Sequence, residues 1–127
     1  MTLKDATPVL PVSDIGHAVA FFRDVLGFDV GHRFPGYAYL YRDRATIRLI
    51  QAADGANMHD PARQQAVYID TGQVDGVFDD LRPKLETLPE GHVRPPFDQP
   101  YGQREFHIYY EAVQIIFGAA ISQEARP

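Results

Sequence analysis

The chain has 127 residues, with 17 acidic against 12 basic side chains, a formal net charge of −5 and no cysteine. A compact domain of this size buries about two-thirds of the surface its unfolded chain exposes, and the missing cysteines exclude disulfides, thiolate metal sites and thiol nucleophiles. Scattered rather than clustered Lys and Arg argue against a nucleic-acid partner, and with no signal-peptide pattern and no apolar run of about 20 residues the expectation is a soluble, cytoplasmic protein without membrane contact.

Residues 6–12 read as a strand, with Pro8 and Pro11 confining it to an edge, a bulge or a position whose N–H groups face away from a partner. Ser13 then offers an N-cap and Asp14 a first-turn carboxylate for a helix running to Leu26, where Gly27 can take the left-handed stop. Three strands follow at 28–34, 36–41 and 45–51, the last two joined by the turn Arg42-Asp43-Arg44. Alternation sets Tyr37, Tyr39 and Tyr41 on one face, and Arg48 on the face opposite Ile47 and Leu49. Residues 53–63 mix Gly, Asn, Asp and Pro without periodicity and read as a loop.

The pattern then starts again. Residues 65–70 read as a strand, and Thr71 or Gly72 begins a second helix that Pro83 should kink or end, with helical pattern continuing at Leu85. Val74, Val77, Phe78, Leu81 and Leu85 repeat the spacing of Ile15, Ala18, Val19, Phe22 and Leu26 at an offset of 59 residues. Pro89, Pro95, Pro96 and Pro100 make the next stretch extended or looped, with at most a short strand. Residues 104–110 and 113–121 read as a hairpin turning at Glu111-Ala112, and a polar tail follows. The expectation is one α+β domain over 1–127. It holds two βαβββ modules, about 5–52 and 64–121, which form a curved mixed sheet around a cleft with the helices on the outer faces.

Three segments carry a family resemblance: Pro8-Val9-Leu10-Pro11-Val12-Ser13-Asp14-Ile15, Ala18 to Phe28, and Asp98-Gln99-Pro100-Tyr101-Gly102-Gln103-Arg104-Glu105-Phe106. The chain resembles the vicinal-oxygen-chelate superfamily of glyoxalases, extradiol dioxygenases and antibiotic-resistance proteins, and within it the bleomycin-resistance proteins. The enzymatic members hold a divalent metal with side chains from the first strand of each module and a Glu on the last strand. The resemblance puts those positions at Thr7, at Ala66 or Gln65, and at Phe117. Alanine and phenylalanine have no donor atom, and a catalytic metal needs about three protein ligands. No cofactor or metal is therefore expected, and Phe117 is expected to fill the metal's place. The usual Asp-Pro-x-Gly-Asn of the last hairpin is replaced by Tyr110-Glu111-Ala112-Val113-Gln114, which implies a differently shaped turn.

A cleft without a metal can still bind. The resemblance places Tyr37 where resistance proteins contact the drug, and Tyr68 and Tyr101 where they line the groove with aromatics. Tyr39, Arg48, Ile50, Phe106 and Phe117 complete the expected ligand-binding set. For each tyrosine an ordinary sheet position, ring buried and hydroxyl wet, is the competing reading. No catalytic residue is assigned, and no two of the five histidines have metal-ligand spacing. The resemblance implies a homodimer, with exchange of the first strand as an option, and a small-molecule ligand of bleomycin type that is bound and sequestered. Two alternatives stay open: a metal-dependent lyase or dioxygenase using Gln65, Glu105 or His107, and a binding module for an endogenous ligand.

Overall fold

A computed structural model describes residues 1–121, so the polar tail lies outside the described residues. The chain divides into two compact units, Met1–Met58 and the part from His59 on.

The first unit contains β1 (Val9–Val12), α1 (Ile15–Asp24), β2 (Asp29–Phe34), β3 (Tyr37–Arg42) and β4 (Ala45–Gln51). Its sheet has the order β1-β4-β3-β2, with β1 parallel to β4 and the other pairs antiparallel. Leu10, Val12, Ala38, Leu40, Ile47 and Leu49 alternate onto one face and are buried with Ala18, Val19 and Phe22 of α1. Phe28 closes this core with its ring edge-on to Phe22, centroids 5.6 Å apart.

The strand-to-helix turn differs from the sequence expectation in its cap. Asp14, not Ser13, is the N-cap, and its Oδ1 accepts the His17 N–H at 2.9 Å. The Ser13 carbonyl instead accepts from the side-chain amide of Gln51, whose Oε1 takes the Ile15 N–H at 3.0 Å. Gln51 thus clips the end of β4 to the start of α1. At the other end Gly27 is left-handed (φ 75°), and the Phe28 N–H returns to the Phe22 carbonyl at 2.9 Å, as expected for a glycine stop.

The second unit repeats the plan. It contains a short 3₁₀ turn (Pro61–Arg63), then β5 (Gln65–Asp70), α2 (Val74–Leu85), β6 (Val93–Asp98), β7 (Gln103–Tyr110) and β8 (Val113–Ala120), with sheet order β5-β8-β7-β6. Strand for strand this is the topology of the first unit. The core is Val74, Phe78, Leu81 and Leu85 of α2 against Val67, Phe106, Ile108, Ile115 and Phe117.

Two expectations are corrected here. The second helix starts at Val74 with Gln73 as N-cap, so the Thr71 or Gly72 start is too early, and Pro83 lies inside the helix rather than ending it. The proline-rich stretch forms a six-residue edge strand, longer than expected, because Pro95 and Pro96 fall where the β6–β7 register slips between Arg94 and Phe97. A bulge removes the ladder bonds that proline cannot make. The β3–β4 and β7–β8 hairpins turn on a non-glycine residue at positive φ, Asp43 (53°) and Glu111 (50°). Among the described residues no helix is long and apolar enough to cross a membrane.

Candidate functional site

Each sheet is covered by its helix on one face, and the chemistry lies on the face turned away from that helix, here called the far face. In the first unit Tyr39 pairs directly with Arg48, and Tyr37 with Ile50. The Arg48 guanidinium donates from Nη1 to the Tyr37 hydroxyl and stands 4.9 Å from the centroid of the Tyr39 ring. Tyr41, on the same face, is partly exposed. These rings have room because of Gly31: a Cβ there would lie 2.9 Å from Tyr39 and 3.2 Å from Tyr41. Thr7 joins this face through its hydroxyl, 3.1 Å from that of Thr46.

In the second unit the far face carries a dense polar network on β7. Glu105 is completely buried, at 0% exposure, and His107 is 5% exposed. Oε1 of Glu105 lies 2.8 Å from His107 Nε2 and accepts from Gln99 Nε2 at 3.1 Å, while Oε2 accepts from the Tyr101 hydroxyl at 2.7 Å. A carboxylate can only accept, so Nε2 of His107 carries a proton. Nδ1 is the acceptor for the Gln114 amide at 3.1 Å. Burial by itself pushes the Glu105 carboxyl up, but donation from Tyr101, His107 and Gln99, with the Tyr68 hydroxyl nearby, overrides it and holds the group at about 2. The same carboxylate raises the Tyr101 phenol, and burial followed by Glu105 raises that of Tyr68.

Tyr68 reaches this network from β5 by lying across β8. Its hydroxyl donates to Gln103 Oε1 at 3.1 Å, and its ring passes over Gly118, where an added Cβ would meet the phenol oxygen at 2.0 Å. Beyond His107, the Phe97 ring packs edge-on at 5.0 Å and carries the Arg94 guanidinium 3.5 Å from its centroid.

The structure therefore places the sequence-derived candidates in three groups. Tyr37, Tyr39, Arg48 and Ile50 share the far face of the first sheet. Tyr68 and Tyr101 are joined to one network on the far face of the second. Phe106 and Phe117 are elsewhere. Their rings stack on each other with centroids 4.8 Å apart, and Phe106 meets Phe78 of α2 at 5.2 Å. Both belong to the helix-side core, so Phe117 does not occupy a metal position on the far face. Glu105 and His107, which stand on that face, entered the sequence reading only as alternative metal ligands. The alternation Glu105-His107-Tyr109 against Phe106-Ile108-Tyr110 is the signal that separates the two faces.

The donor set does not fit the metal of the enzymatic relatives. Ala66 has no donor, Gln65 alternates to the face opposite Ala66 and Tyr68, Phe117 points into the core, and the Thr7 hydroxyl is engaged with Thr46. Among the described residues no three His, Cys, Asp or Glu side chains come together as a metal site.

A match to the Glyoxalase/Bleomycin resistance protein/Dioxygenase superfamily runs over residues 6–115. The chain belongs to this superfamily. Within it, bleomycin resistance proteins from Geobacillus stearothermophilus and Staphylococcus aureus are 36% identical over 52 residues, a match that spans 41% of this chain and only 39% of theirs. The bleomycin-binding protein from bleomycin-producing Streptomyces verticillus, solved with copper(II)-bleomycin, has the same fold, with a TM-score of 0.76 at 20% identity over 97% of this chain and 99% of that one. So does a lactoylglutathione lyase from Agrobacterium tumefaciens, with a TM-score of 0.67 at 18% identity, covering 93% of this chain and 95% of the other. One superfamily fold thus carries both binding proteins and a lyase, and function has to be read from the side chains.

Proposed function

We propose that this protein binds a small planar molecule of the bleomycin type and sequesters it without transforming it. The observation that carries the reading is the Arg48, Tyr37 and Tyr39 arrangement on the far face of the first sheet. A guanidinium fixed between a phenol and a ring face offers hydrogen-bond donors beside an aromatic surface, which suits a flat heteroaromatic ligand bearing acceptors. The partly exposed ring of Tyr41 adds to this surface in the first unit, and Tyr68 and Tyr101 offer partly exposed rings on the far face of the second. The bleomycin resistance proteins named above support the same ligand class. A homodimer in the cytoplasm, contributing to antibiotic resistance, completes the proposal; light scattering should then give twice the 14.3 kDa of one chain.

The chain has no tryptophan and seven tyrosines, five of them on the proposed surfaces, so its tyrosine emission reports on these rings without tryptophan background. Titration with metal-free and copper-loaded bleomycin should give a saturable change at micromolar concentration, weakened at least tenfold by Arg48→Ala. A flat titration with both forms eliminates bleomycin as the ligand.

The superfamily also includes glyoxalases and dioxygenases, which leaves a second reading, a metal-dependent lyase or dioxygenase using Gln65, Glu105 or His107. Elemental analysis of protein purified without chelator decides it. Less than about a tenth of an equivalent of Zn, Ni, Mn or Fe, well short of the one ion a catalytic site needs, ends that alternative.

A further inference from the structure

The Glu105 network is more elaborate than the fold needs. The turn between β6 and β7 is already closed by its own backbone, with the Gln99 N–H on the Gln103 carbonyl at 2.7 Å and the Gly102 N–H on the Gln99 carbonyl at 3.1 Å. A buried charge is also a poor source of stability, since an apolar residue of similar volume often does as well or better. What the carboxylate adds is side-chain orientation. Its bonded partners Gln99, Tyr101 and His107 are all side chains, and Tyr68 bears on it closely enough to shift its ionisation. Two of these four are among the most exposed aromatics of the unit, Tyr101 at 64% and Tyr68 at 40%.

An exposed tyrosine ordinarily samples several rotamers, and ordering it on binding weakens affinity. Here the ring of Tyr101 is open to solvent while its hydroxyl is tied to a residue with no exposure at all. Tyr68 is restrained at both ends: its ring lies over Gly118, which leaves no space for a Cβ, and its hydroxyl is bonded to Gln103. Both rings are therefore set before any ligand arrives.

We propose that Glu105 is a positioning residue, which with the Gly118 seat holds Tyr101 and Tyr68 as a preformed ligand-contact surface on the far face of the second sheet. This rests on the reading of the protein as a binder of planar molecules. Glu105 itself touches no ligand; it acts through the two rings, and its removal acts on affinity by loosening them.

The test pairs a measurement without ligand with one that uses bleomycin as the probe. In ligand-free protein an absorbance titration of the phenols should show Tyr101 and Tyr68, identified by Tyr101→Phe and Tyr68→Phe, ionising above the ordinary phenol range. Glu105→Gln should bring the Tyr101 phenol back towards that range. With bleomycin, Glu105→Gln should weaken binding at least fivefold. Tyr101→Phe, which keeps the ring and removes only its tether, should weaken it similarly, and the double variant little further. Gly118→Ala should displace Tyr68 and weaken binding while leaving the Tyr101 titration unchanged. Should Glu105→Gln fail to fold, Tyr101→Phe and Gly118→Ala carry the test alone. The proposal is overturned if Tyr101→Phe binds as tightly as the unaltered protein, or if the phenol titration is indifferent to Glu105. Restored phenol titration in Glu105→Gln, together with no bleomycin binding by the unaltered protein, supports the tether and eliminates the bleomycin reading instead.

Discussion

Glu105 joins complete burial to full ionisation, and the consequence at the scale of one residue is a stability that depends on acid. Its carboxyl sits at about 2 in the folded chain against 4.5 for an ordinary one. A group depressed in this way contributes stability that is present in full above the unfolded value and is lost as pH falls through the folded value. The gap corresponds to about 3 kcal/mol. Urea unfolding of the unaltered protein and of Glu105→Gln should therefore differ most near neutrality and converge between about pH 4.5 and about pH 2. A difference that stays constant across this window would show that the carboxylate is not held by its hydrogen-bond donors. The residues of the first unit were easier to read than these. Tyr37, Tyr39 and Arg48 follow from strand alternation alone, whereas the facing of Phe117 depends on the length of the last turn. Two turn residues, Glu111 and Ala112, force Phe117 opposite Phe106 and both under α2. The resemblance to metal-holding relatives puts Phe117 at a ligand position, which strand alternation from the Glu111-Ala112 turn does not support.

At the scale of the element, caps and bulges decide where the pattern stops. The Asp14 cap and the Gln51 clip both secure the first turn of α1, so Asp14→Ala should cost about 1 kcal/mol, read as a lower urea midpoint with an unchanged slope. An unchanged midpoint would mean that Gln51 suffices. Apolar periodicity located both helices and the strands of the β3–β4 and β7–β8 hairpins because each buries one face on a core. It did not locate β6, whose prolines resemble a loop until the register slip that accommodates them is seen. The start of α2 was missed for a related reason: Gln73 caps without a side-chain bond, so no residue type announces it.

For the molecule as a whole, the two units share one strand order and one way of making room for tyrosine, with Gly31 beneath Tyr39 and Tyr41 in the first and Gly118 beneath Tyr68 in the second. A ligand that binds only the folded chain stabilises it by mass action, about 2.7 kcal/mol at a hundredfold excess over Kd. Bleomycin at that excess should raise Tm by on the order of 10 °C in calorimetry, and EDTA should leave the ligand-free Tm where it is. A Tm that falls on chelation would instead favour the metal-assisted alternative.

The prolines of β6 have an effect outside the fold itself. They take two of the six amide hydrogens out of the outermost strand of the second sheet. An edge that lacks donors is a poorer template for a foreign β-segment, which disfavours polymerisation by strand addition there.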